Sequence, residues 1–209
     1  SPTEAAQFVQ EGKLAAFPTE TVYGLGADAL RWTAVESIFE AKGRPADNPI
    51  IVHVADRAQI QRVAATVPDH AEALLDHFAP GPLTLILPRH SSLPSVVTAG
   101  LDTVGVRMPA HEVAQAFLQA CETPVAAPSA NRSGRPSPTT WTAVQEDLGG
   151  RIACILKGEQ TEAGVESTVL DCTAVPPVVL RPGAVSVEAL ERVVGGVEVV
   201  TTDDSEEAA

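Results

Sequence analysis

The chain has 209 residues, enough for one large domain or two small ones around a real hydrophobic core. Its net charge is −13 and its pI about 4.7, so a polyanion is repelled over most of the surface, which argues against a nucleic-acid-binding module that grips phosphates. Hydrophobic residues make up 44% but aromatics only 4%, which leaves the core to Ala, Val, Leu and Ile.

The spacing predicts a helix from Thr3 to Glu11, with Ala5, Ala6, Phe8 and Val9 inward and Gly12 as its C-cap. A strand, residues 14–17, halts at Pro18. Residues 18–29 then read as a glycine-bearing polar loop. Gly24, Gly26 and Ala29 match a dinucleotide fingerprint only loosely, because no helix opens before about Thr33. Thr19, Glu20, Thr21 and Tyr23 crowd one strand end with hydroxyls and a carboxylate.

Thr33 to Ala41 reads as a helix capped by Thr33 with Glu36 three residues on. It runs into Lys42-Gly43-Arg44-Pro45 and Asn48-Pro49. Two cations flank a glycine that can bring backbone close to a ligand, and two prolines stiffen the loop. Fixed cations of this kind suit a phosphate, and the alternative is a solvated basic turn. Ile50 to Val54 reads as a buried strand of five residues ending near His53.

Helices at 56–64 and 69–78 follow, then strands at 83–87 and 103–109 and a helix from His111 to Cys121. His111-Glu112 opens a zinc-protease-like string, but Gln115 stands where the second histidine belongs, so no zinc site is expected. A short strand at 124–127 leads into a second dense polar loop, Ser129 to Ser137. Beyond it come a helix at 139–148 and strands near 152–156, 168–171 and 178–181. A helix at 186–193 and a strand at 197–200 complete the order. This is an α/β chain: about eight or nine strands alternate with six or seven helices in one domain over residues 1–200, followed by a disordered acidic tail at 201–209. The three cysteines lack zinc-like spacing, which fits a reducing compartment.

The unusual polar content gathers in loops at strand ends, where open α/β sheets bind ligands. If those loops converge, Lys42, Arg44, Arg107 and Arg181 share one cleft, with Arg132 and Arg135 as further candidates. A P-loop is absent, and Ser129 has no nucleophile-elbow context.

Pro18-Thr19-Glu20-Thr21-Val22-Tyr23-Gly24-Leu25, Lys42-Gly43-Arg44-Pro45, Pro80-Gly81-Pro82-Leu83-Thr84, Arg107-Met108-Pro109, Pro128-Ser129-Ala130-Asn131, Glu166-Ser167-Thr168 and Leu180-Arg181-Pro182-Gly183, in this order, resemble the YrdC-like family of threonylcarbamoyl-AMP synthases. The resemblance covers about residues 5–200 and implies a twisted, open, mixed sheet with a large concave ligand cleft. A short, single-domain member is the expectation, one that lacks the C-terminal domain of longer members and its contacts to the nucleotide. The implied reaction joins L-threonine, bicarbonate and ATP, with Mg2+, into L-threonylcarbamoyladenylate and pyrophosphate in the cytoplasm. The product would pass to a tRNA threonylcarbamoyltransferase complex for t6A formation at position 37 of tRNA, with no strong direct tRNA binding and no membrane. Catalytic roles are implied for Lys42, Arg44, Ser129 and Asn131. ATP would meet Lys42, Arg44, Asn48, Thr103, Ala127, Asn131, Ser137 and Arg181. Threonine would meet Thr21, His53, Arg107, Ser129 and Ser167.

Overall fold

The computed structural model describes residues 1–161 and 164–200, so the tail expected at 201–209 lies outside the described residues. Among the described residues, ten strands form a single mixed sheet. In chain order they are β1 (Ala15–Phe17), β2 (Gly24–Asp28), β3 (Val52–His53), β4 (Leu83–Pro88), β5 (Thr103–Arg107), β6 (Val125–Ala126), β7 (Cys154–Ile155), β8 (Thr168–Asp171), β9 (Val178–Arg181) and β10 (Glu198–Val199). Across the sheet they run β10-β9-β8-β4-β5-β3-β6-β2-β1-β7. Four neighbouring pairs are parallel (β1·β7, β3·β5, β4·β8 and β9·β10), and the other five are antiparallel.

Seven helices accompany the strands: α1 (Pro2–Gln10), α2 (Trp32–Lys42), α3 (Arg57–Ile60), α4 (Asp69–Phe78), α5 (Glu112–Cys121), α6 (Trp141–Leu148) and α7 (Val187–Val194). The period-2 pattern of β4 sends Leu83, Leu85 and Leu87 into the main apolar core together with Val104 and Val106 of β5. Thr84, Ile86, Thr103, Gly105 and Arg107 alternate onto the opposite face, the one that carries the candidate site. A second, smaller core joins α1 to α5 over Phe17, whose ring packs on Phe117 at 4.9 Å.

Four local expectations change. Residues 24–28 form a buried strand rather than a loop, because Gly24 and Gly26 leave room for the Phe17 ring, which lies 3.1–3.2 Å from where their Cβ atoms would stand. The strand expected over Ile50–Val54 pairs only at Val52–His53, since Ile50 donates its N–H to Val97 O in a loop instead. Helix α2 starts at Trp32 without a side-chain cap, and the carbonyl of Thr33 instead accepts from Ser37 Oγ at 3.0 Å. Gly43 is the left-handed C-cap of α2 at φ 61° with open space around it, so it ends a helix rather than admitting a ligand.

Candidate active site

A cavity of about 250 Å³ opens on the sheet, small beside the roughly 300–1,000 Å³ of pockets that hold drug-sized ligands. Its lining is drawn from points far apart in the chain: Thr19 and Thr21 to Gly24 at the start of β2, Arg44, Asn48 to Ile51 and His53, Arg107 at the end of β5, and residues 127–129 after β6. Glu166 and Ser167 before β8 and Arg181 at the end of β9 complete it. All five residues assigned to threonine, namely Thr21, His53, Arg107, Ser129 and Ser167, line this one space. Arg44, Asn48, Ala127 and Arg181 line it with them.

Arg107 is 5% exposed and anchored on the protein side through three of its nitrogens. Its Nε donates to Gly81 O at 3.3 Å and its Nη1 to Thr21 Oγ1 at 2.8 Å. Its Nη2 lies 2.7 Å from Glu20 Oε1, an ion pair by distance but too poorly aligned to count as a hydrogen bond. Thr21 is set in turn by Thr19, whose hydroxyl is 3.0 Å from its own and donates to Val22 O at 2.7 Å. Ser167 Oγ lies 2.8 Å from Thr84 Oγ1, and Arg181 grips Ser167 O at 2.9 Å while pairing with Glu166.

His53 is buried edge-on against Phe17, and its Nδ1 has no hydrogen-bond partner among the described residues. Burial, reinforced by the Arg107 charge, pushes its pKa down from 6.5 to about 3, so the ring is neutral at physiological pH. The consequence is measurable. Between pH 6.5 and about 3 the unfolded chain holds a proton that the folded chain refuses. Stability is therefore full above the upper value and drains on acidification at ~1.4 kcal/mol per pH unit. Urea titrations across this window should show that slope, and His53→Asn should flatten it.

Lys42, expected among the contacts to ATP, is turned into the protein in this structure. It is 3% exposed and does not line the cavity. Its ammonium donates to Ser129 O, to Asn131 O at 2.6 Å and to Asn131 Oδ1 at 3.3 Å, while Lys42 O accepts from Ser133 N at 2.9 Å. Burial foremost, with Arg44 nearby, lowers its pKa to about 8. Lys42 thus ties the end of α2 to the Ser129–Asn131 loop, an arrangement no sequence pattern announces, because spacing shows charge but not direction. Asn131 is also spent on structure, since its Nδ2 donates to Arg132 O and Arg135 O at 3.0 and 2.7 Å.

Two further ATP assignments sit outside the lining. Ser137 Oγ donates to Glu166 Oε1 at 2.9 Å, one residue removed from the cavity. Thr103 shares the face of Arg107 at the other end of β5, and the β3–β5 register runs it towards Pro49. Arg132 and Arg135 stay away from the cavity, and Arg135 pairs with Asp147 at 2.5 Å. Glu20 and Glu166 are the residues the sequence reading left without a role. The signal for both was a carboxylate beside a cationic loop in an otherwise hydroxyl-rich motif.

Gly183 shows how the Arg181 turn is seated. A Cβ there would lie 2.5–2.6 Å from backbone atoms of Glu166, Ser167 and Thr168. Gly183→Ala should cost ~2 kcal/mol or more, as overpacking does, and displace Arg181 from the cavity wall. Thermal unfolding reads the cost.

The protein is thus an α/β chain with an amino-acid-sized cavity lined by Arg44, Arg107 and Arg181. The profile of the Sua5/YciO/YrdC family, described as telomere recombination, matches residues 7–183, and the chain belongs to that family. It is 57% identical over 195 residues to the threonylcarbamoyl-AMP synthase of Pyrococcus abyssi, covering 93% of this chain and 57% of that one. The Bacillus subtilis enzyme of the same name is 52% identical over 197 residues, 94% of this chain and 57% of its own. The crystal structure of P. abyssi Sua5 complexed with L-threonine superposes with a TM-score of 0.93 at 56% identity, covering 95% of this chain and 58% of that chain. The chain therefore spans somewhat more than half the length of these relatives. No helix among the described residues is long and apolar enough to cross a membrane.

Proposed function

We propose that this chain is a threonylcarbamoyl-AMP synthase, a nucleotidyltransferase that makes L-threonylcarbamoyladenylate and pyrophosphate from L-threonine, bicarbonate and ATP. The observation that carries the reading is the convergence of Thr21, His53, Arg107, Ser129 and Ser167 with Arg44, Asn48 and Arg181 on one cavity.

The chemistry fits those residues. The amine of threonine adds to CO2 derived from bicarbonate, giving an N-carboxylate and releasing a proton. An oxygen of that carboxylate then attacks the α-phosphorus of ATP, and the bond to the bridging oxygen breaks as pyrophosphate leaves. Two anions must meet, so the protein's task is alignment and charge neutralisation rather than covalent catalysis. Arg107 would hold the carboxylate of the amino acid, and neutral His53 and Ser129 would offer hydrogen-bond partners to its other polar groups. Among the described residues Arg44 is the lining cation without an ion pair, which suits a phosphate of ATP brought in with Mg2+. The three free cysteines fit the cytoplasm, and the adenylate product would pass to a tRNA-modifying transferase that forms t6A.

The test is an incubation with ATP, Mg2+ and bicarbonate, with and without L-threonine. Pyrophosphate and a new adenylate should appear only with threonine. Salt-sensitive tRNA binding without threonine-dependent turnover would instead favour a nucleic-acid-binding module.

A further inference from the structure

We infer that Glu20 sets the charge type of the ligand: by neutralising Arg107 from the protein side, it makes the cavity select a zwitterionic amino acid over a simple carboxylate anion. The inference rests on reading the cavity as an amino-acid site, and it concerns a residue that does not line that cavity. Both Glu20 oxygens are shielded from solvent, and Oε1 stands 2.7 Å from Arg107 Nη2.

Arginine has five N–H donors. Here one goes to Gly81 O, one to Thr21 Oγ1, and one faces Glu20. One N–H is left on each terminal nitrogen, enough for a carboxylate arriving from the cavity without displacing Glu20. Nη2 is also buried without an aligned hydrogen bond, as expected of a donor kept for a ligand.

Charge completes the argument. Of the charged groups at the cavity, Arg107 is balanced by Glu20, Arg181 by Glu166, and His53 is neutral, while Arg44, assigned above to the nucleotide, is the lining cation left unpaired among the described residues, so the Arg107 end carries no net charge. A ligand of no net charge enters this region without leaving an uncompensated charge. A ligand bearing a carboxylate but no ammonium brings one, facing Glu20 and Glu166 across the same guanidinium groups. Glu20 is thus a positioning and specificity residue that acts through Arg107.

The experiment compares calorimetric affinities of the whole protein for L-threonine and for 3-hydroxybutanoate, which keeps the carboxylate and hydroxyl but lacks the amine. Wild type should prefer threonine. In Glu20→Gln the ratio of the two affinities should shrink at least about tenfold, because the anion gains while the zwitterion loses. A purely structural role for Glu20 would weaken both ligands alike and leave the ratio unchanged. Glu20→Asp keeps the charge and should keep the ratio even at lower affinity. If Glu20→Gln does not fold, Glu20→Ala, which also removes the charge, decides: a shrunken ratio supports the inference and an unchanged one overturns it. An unchanged ratio in folded Glu20→Gln overturns the inference alone, whereas a wild type that binds neither ligand overturns the amino-acid reading as well.

Discussion

Lys42→Met is expected to lose both stability and turnover, while Arg44→Ala loses turnover alone. The methionine fills the channel of the lysine stem but donates nothing to Ser129 O, Asn131 O or Asn131 Oδ1. Two buried acceptors on Asn131 and the part-buried Ser129 O then lack a partner, at ~1–3 kcal/mol for each buried one, offset in part because a buried ammonium no longer has to be desolvated. A net loss of roughly 2–4 kcal/mol should appear in denaturant unfolding. The Ser129–Asn131 loop, freed from α2, should also hold Ser129 poorly, so adenylate formation should fall at least about a hundredfold. Arg44 sits on a half-exposed loop and donates only to Asn48 O at 3.2 Å, so its removal should barely shift the unfolding midpoint. Equal loss of stability in both variants would overturn the assignment of Lys42 as a tie between elements.

Arg107→Met should be the most damaging change to threonine binding, by about a hundredfold or more, because the charge-assisted partner of the substrate carboxylate is gone. It should also destabilise the fold, since Glu20 is left shielded and unpaired. Breaking a buried pair from one side costs ~3–5 kcal/mol, and the partial exposure of Glu20, at 21%, brings the expectation to roughly 2–4. The double variant Arg107→Met/Glu20→Gln separates the two effects. It should recover most of the stability and none of the affinity, as read by chemical denaturation and calorimetry side by side.

The order of elements was largely legible in the sequence because most helices and strands carry clear periodicity and turn residues. Helix α4 spans Asp69–Phe78 as the pattern predicts, and the strands around Leu85 and Val106 follow their alternation. The reading failed at Gly24–Asp28, where two glycines signal a turn but serve instead as a flat bed for Phe17. The direction of Lys42 was not legible either: a lysine beside an arginine reads as a pair, yet here its ammonium meets carbonyls while Arg44 lines the cavity. Gathering polar loops at strand ends did find the cavity. What it could not supply was which cations are already matched, because Glu20 and Glu166 meet their arginines only through the fold.

The sheet order has a further consequence for synthesis. Strand β4 has β8 as its parallel neighbour, and β1 has β7, so two long stretches of chain must be made before either edge is covered. The cavity itself draws on residues from Thr19 to Arg181. A growing polypeptide therefore carries unpaired strand edges and an unfinished pocket until almost all of this region has left the ribosome. Pairings between such distant segments form slowly, and exposed edges invite association with other chains. Rapid overproduction should consequently favour insoluble material, with slower translation or added chaperones shifting the yield towards the folded form.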